Sequence, residues 1–293
     1  MRTGICELRL NHFRCYDSLS LKLGADLAPV VLTGGNGAGK TNILEAISFL
    51  VPGRGLRQAK LSDIAMKTPE QMHFVDEKSF DYSWTVSAVV QTPQDIVRIG
   101  TGIAAEGEKR QIRIDGENVK KQSELGNYLT ALWITPAQDK LFSGDPAARR
   151  RFLDRLVQSF DAGHASVCSD YAYALKQWNN LLHEGRTDPA WLNALEEQIA
   201  AGAVAIAAAR RDIVGRLQIF LQSAQVDGFP TPIISLSGVV EEWLNDLAAI
   251  DVEDKYREKL RLSRHLVADG GSVGGVHTSD FSVVHAQKNT SAF

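Results

Sequence analysis

The sequence lacks the features that mark exported, metal-bound and membrane proteins. It holds three cysteines, Cys6, Cys15 and Cys168, an odd number with no C-x-x-C pair. That spacing supplies neither a disulfide framework nor a zinc signature, and it suits a reducing compartment. Long apolar runs are missing too. The opening "MRTGICELRL" carries Glu7 and Arg9 where a signal peptide needs an apolar core. The stretch "AAGAVAIAAA" (200–209) reaches only about half a membrane span and ends in Arg210-Arg211. A soluble, cytoplasmic protein with no membrane partner is the expectation. There is little excess of either charge: the net value of −3 argues neither for nor against nucleic acid, because a binding groove is a local feature. The seven histidines are scattered, with no H-E-x-x-H pattern, and no nucleophile elbow is found, so no catalytic residue is identified.

What remains is an ordinary globular composition, 44% hydrophobic and 23% charged, in 293 residues that favour two domains. "ICELRLNHFRCY" and "SLSLKL" alternate as half-buried strands do, and "APVVLTG" (28–34) predicts a strand buried on both faces. "KTNILEAISFLV" predicts a helix with Ile43, Leu44, Ile47 and Leu50 on one face, stopped by Pro52-Gly53. From Phe80 to Val119 the pattern predicts an antiparallel meander, with turns at Pro93, Gly107 and Asp115-Gly116. "LTALWITP" (129–136) predicts another buried strand. After Gly144 the chain turns helical. Asp145-Pro146 and Asp188-Pro189 each pair an N-cap with proline at the first helical position. Leu192, Ile199, Ile206, Ile213 and Phe220 recur every seven residues and predict one apolar seam, packed within the protein. A strand is predicted at 232–238, helices from about Val240 to Val267, then a Gly-rich stretch and a further strand.

The chemistry sits in Gly34-Gly35-Asn36-Gly37-Ala38-Gly39-Lys40-Thr41, which satisfies G-x-x-x-x-G-K-[ST] between a predicted strand and a predicted helix. The glycines let successive backbone N–H groups converge on phosphate oxygens, and the helix N-terminus adds partial positive charge. Lys40 would reach the β- and γ-phosphates of ATP and Thr41 would ligate Mg²⁺. Hydrolysis also needs an acidic residue after a buried strand. Asp251, in "LAAIDVED", is the candidate, and it reads instead as a helix C-terminus. "SLSGVVEE" (235–242) lacks the second glycine of an ABC signature and reads as strand, turn and helix start.

The surroundings of the loop narrow the class. "LRLNHFRCYDSLSLKL" before it, and Asn42 with Glu45-Ala46-Ile47 after it, resemble the SMC/Rad50/RecF group of ABC-type ATPases. "GRGLRQAKLSDI" (53–64) and "FSGDPAARRRFLDRL" (142–156) look like the RecF family of bacterial recombination mediators. The resemblance implies an α/β fold: an ABC-type P-loop ATPase head, with a mixed sheet around the P-loop helix and an antiparallel meander, plus a helical second lobe. It divides the chain into an ATP-binding lobe (1–144), a helical lobe (145–230) and a partial return to the ATPase lobe (231–293). It implies an ATP-dependent homodimer, a weak DNA-associated ATPase, that acts near gaps between single- and double-stranded DNA. There it would help a recombinase and other mediator proteins in repair, replication restart and the SOS response. Arg14 matches an arginine placed near the nucleotide, and Arg57 a position that approaches nucleotide or DNA. Arg149, Arg150, Arg151 and Arg155 form a basic cluster with two open readings, DNA phosphates or internal pairing. "GVHTSD" (275–280) has Val276 and Thr278 where the family has proline and arginine. Signature and Walker B motifs are not seen, so the sequence looks like a RecF chain shortened at its C-terminus, with little ATP turnover or ATP-driven dimerisation expected of residues 1–293 alone. The alternatives are another SMC/Rad50-like ATPase of chromosome organisation or phage defence, and a non-catalytic DNA-binding module. Gly185, Asp188 and Pro189 break the heptad arm that the first would need.

Overall fold

The computed structural model describes residues 3–24, 26–66, 82–104, 109–185, 188–223, 231–288 and 290–291. The predicted start of the meander at Phe80 and its turn at Gly107 lie outside them. The chain divides into two compact units, Met1–Trp133 and Ile134–Phe293, ahead of the boundary predicted at 144; the strands after residue 231 cluster with the helices.

In the first unit, β1 (Gly4–Phe13) and β2 (Tyr16–Lys22) form a hairpin. A meander follows: β3 (Trp84–Gln91), β4 (Ile96–Ile103), β5 (Gln111–Ile114) and β6 (Glu117–Val119). The sheet runs β2-β1-β3-β4-β5-β6, antiparallel at every pair. Alternation in β1 has its usual cause: Leu8 and Leu10 enter the core while Arg9 and Asn11 meet solvent. Asp115 and Gly116 link β5 to β6 with φ of 50° and 91°, a two-residue turn whose twist matches the strands. Helix α1 (Lys40–Ser48) joins this core through Phe49, whose ring meets those of Phe13 and Trp84 at centroid distances of 6.2 and 5.2 Å.

Two expected strands are absent. Residues 28–35 form no strand, with Val31 81% exposed, and neither do 129–135, with Ile134 85% exposed. A strand is buried on both faces only where neighbours pair with it; no described strand pairs with either segment. Leu44 also departs from its predicted face. It is exposed, whereas Ile43 and Leu50 are buried.

The second unit contains α2 (Pro146–Gln158), α3 (His164–His183), α4 (Pro189–Ser223), β7 (Pro232–Ser237), α5 (Val239–Asp246), α6 (Ala249–Leu262), α7 (Arg264–Ala268), β8 (Asp280–His285) and β9 (Thr290–Ser291). Its strands form the antiparallel sheet β7-β8-β9. Both predicted caps form. Asp145 accepts from the Ala147 amide at 2.8 Å and Asp188 from the Ala190 amide at 2.9 Å. Leu192, Ile199, Ile206 and Ile213 of α4 are buried inside the unit, and Phe220 is left exposed. Asp251 lies in the first turn of α6, so it begins a helix where the sequence suggested an end. Among the described residues no helix is long and apolar enough to cross a membrane.

Candidate nucleotide-binding site

The Gly-rich loop and the β1–β2 turn meet in the first unit. Gly34, Gly37 and Gly39 have φ of 143°, 83° and 88°, conformations that L side chains rarely adopt. Gly39 is constrained twice. A Cβ there would strike the Tyr16 hydroxyl and come within 2.8 Å of the Cys15 sulfur. Tyr16 donates to the Ala38 carbonyl at 3.3 Å and Asn42 donates to Cys15 Sγ at 3.1 Å, so the turn forms one wall of the loop. Sequence reading missed this wall, because nothing local signals that a hairpin tip will pack on a loop two dozen residues later.

Residues 34–38 and Thr41 are exposed. Helix α1 starts at Lys40; the amides of Asn42 and Ile43 donate to the Gly39 carbonyl at 2.8 and 3.2 Å, and those of Lys40 and Thr41, ahead of them, have no intrahelical acceptor. Lys40 Nζ donates to the carbonyls of Gly34 at 2.8 Å and Gly35 at 2.7 Å. An ammonium has three N–H donors, so one remains for an anion. Orphan amides, helix dipole and a braced cation converge on one small volume, the requirement for holding a phosphate.

Arg14 and Arg57 share an acceptor on the same helix. Arg14 Nε and Nη2 grip Glu45 at 2.9 and 2.6 Å, and its Nη1 donates to the Asp63 carbonyl at 2.8 Å. Arg57 Nη1 reaches Glu45 Oε2 and Asn42 Oδ1, both at 3.2 Å. Glu45 is fully buried. A buried carboxylate needs such matching, and two guanidiniums supply it. In this geometry Arg14 is oriented by Glu45, with no hydrogen bond to the loop.

The arginine cluster lies in the second unit. Arg149 is 4% exposed, forks Asp280 at 2.7 and 2.9 Å, and donates to the carbonyls of Phe142 and Gly144. Of the two open readings, internal pairing is the one its geometry supports. Its hydrogen bond from Arg149 holds the Asp280 carboxyl below the usual value. Arg150 is half-buried and donates to the Ser279 carbonyl at 2.8 Å. Burial pushes the Arg155 guanidinium down to about 10. Asp154, His164 and Cys168 place three donor atoms within 4.8 Å of one another, but Arg210 occupies both Asp154 oxygens at 2.8 and 2.9 Å. A metal ion would have to displace that guanidinium, so the trio is an ion-pair network.

The loop, its helix and the flanking hairpin define a P-loop ATPase head of the ABC type. The family model described as RecF/RecN/SMC N terminal domain matches residues 4–263. A protein of Agrobacterium fabrum named DNA replication and repair protein RecF is 42% identical over 99% of this chain and 75% of its own length. Two solved structures share the fold: the recombination mediator protein RecF-ATPrS, with a TM-score of 0.76, 19% identity and coverage of 96% of this chain and 73% of that one, and RecF-ATP in the RecFOR pathway, at 0.74, 20%, 96% and 74%. The chain belongs to the RecF family.

Proposed function

We propose that this chain binds ATP with Mg²⁺ at residues 34–41 and acts as a recombination mediator on gapped DNA in the cytoplasm. One observation carries the nucleotide reading: a loop with three positive-φ glycines leads straight into α1, with Lys40 braced by loop carbonyls. Thr41, exposed on the first turn, would hold the metal. The cation supplies charge neutralisation of the phosphates; the chain's own part is to fix their position through its amides and Lys40. The identity to a relative named DNA replication and repair protein RecF supports DNA and mediator partners, and a homodimer formed around ATP is part of the same proposal. Arg57, with its side chain 45% exposed beside the loop helix, is the DNA- or nucleotide-facing arginine of the first unit. Arg150 is the DNA-facing arginine proposed for the second.

The test is calorimetric. Hydrogen bonds to charged groups contribute about 1.5–3 kcal/mol, so Lys40→Ala should weaken ATP binding by at least about tenfold with the fold intact. Equal affinities would remove the assignment.

A further inference from the structure

The second unit contains a cavity of about 540 Å³ lined by α2, α3 and α4 and by Val276 and His277. Its charge is one-sided. Arg150, Arg151, Lys176 and Arg210 line it, with Asp154 as the one carboxylate among the described residues. Arg210 takes both oxygens of Asp154, and His164 shares one of them at 3.0 Å, so most of that carboxylate's hydrogen-bonding capacity is already used. Among the described residues Arg150 makes no ion pair although it is half-buried, and neither Arg151 nor Lys176 has a partner. Exposed lysines and arginines need none. A half-buried guanidinium with no carboxylate in hydrogen-bond contact is costly: burial and the nearby Arg210 lower its proton affinity by more than the more distant charges of Asp145, Asp280 and Asp154 raise it. His277 feels the same field, held below its ordinary value by burial and by Arg150 and Arg210. The side-chain amides of Asn179 and Asn180 on the same wall have donors to offer and no protein acceptor among the described residues.

We propose that this cavity is an anion subsite that takes a phosphate group. Guanidinium and ammonium groups with neutral amide donors between them match a tetrahedral oxyanion, which accepts several charge-assisted hydrogen bonds at once. The volume holds more than a bare ion, so the phosphate enters carrying what it is attached to. Two sources share this chemistry, a nucleic-acid backbone and a free phosphate compound. The subsite belongs to a different unit from the Gly-rich loop and stands or falls without it.

Pyrophosphate is titrated, in metal-free buffer, into the whole chain carrying Lys40→Ala, and the side-chain amide signals of Asn179 and Asn180 are followed by nuclear magnetic resonance. Saturable shifts are expected. Arg151→Gln with Lys176→Gln, both exposed and without partners, should weaken them at least tenfold. Lys120→Gln with Lys121→Gln, the same charge change on the other unit, should leave them as they are. Absence of saturable shifts, or equal weakening by the control pair, overturns the subsite. A single-stranded oligonucleotide that reproduces the shifts assigns the phosphate to a nucleic-acid backbone. Shifts from pyrophosphate and ATP alone assign it to a free compound.

Discussion

At the scale of the residue, neighbours decide what a charged side chain does. Lys40 and Arg149 are both cations in family-like motifs. Lys40 retains a donor after bracing its loop, whereas Arg149 spends its donors on Asp280 and two carbonyls. Loss of one partner from a buried ion pair costs about 3–5 kcal/mol. Asp280 retains about a third of its exposure, which screens the orphaned charge, so Arg149→Met should cost about 3 kcal/mol in urea unfolding. The salt dependence of DNA binding should stay the same, since each lost phosphate contact lowers that slope by about one unit. A lower slope at unchanged stability would show that this guanidinium meets DNA. The motif made Lys40 legible because its partners lie within six residues; the partner of Arg149 lies 131 residues away, beyond the reach of any local pattern.

At the scale of the element, alternation and capping predicted β1 to β6 and the start of α2, because each depends on residues a few positions apart. The segment 28–34 shows where that logic stops. An apolar run reports that cover would be favourable, and pairing depends on strands elsewhere in the chain. Long-range polar ties were equally hidden. Glu196 of α4, 1% exposed, accepts from the Trp178 indole of α3 at 2.9 Å and from two nitrogens of Arg264 of α7 at 2.6 Å. It joins three helices. Glu196→Ala would leave an indole N–H unmatched and the Arg264 guanidinium with the Asn193 side chain but no carboxylate, and should destabilise by about 3–5 kcal/mol; Glu196→Gln, which keeps an acceptor, should cost less. Chemical denaturation followed by tryptophan fluorescence checks both. A loss below about 1 kcal/mol for the alanine variant would mean that water satisfies the site.

At the scale of the whole molecule, two cores with separate chemistry imply two separable stabilities. The first unit packs around Phe13, Phe49 and Trp84, and the second around Trp178, Ile199 and Tyr256. Calorimetry should therefore resolve two unfolding transitions, moved by different agents. Saturating ATP with Mg²⁺ should raise only the first unit's transition, by about 2.7 kcal/mol at a hundredfold excess over the dissociation constant. Acid should act chiefly on the second. His277, whose Nδ1 lies 2.7 Å from the Tyr171 hydroxyl, has a folded value lowered from 6.5, so it contributes fully above about pH 6.5. As the pH falls below that, the unfolded chain takes up a proton that the folded one refuses, and stability drops. Burial alone would raise the Asp154 carboxyl, but hydrogen bonds from His164 and Arg210 hold it down, and Arg149 does the same for Asp280. Their contribution is present above about pH 4, the unfolded value, and is lost as the pH falls through the lower folded values. In the first unit the described carboxyl with a lowered value is Glu7, on the surface beside Arg9. The second unit's transition should accordingly fall in two steps, near pH 6.5 and below pH 4, while the first stays flatter. His277→Gln should abolish the upper step and keep the lower. A single transition that responds together to nucleotide and to acid would show that the two units unfold as one.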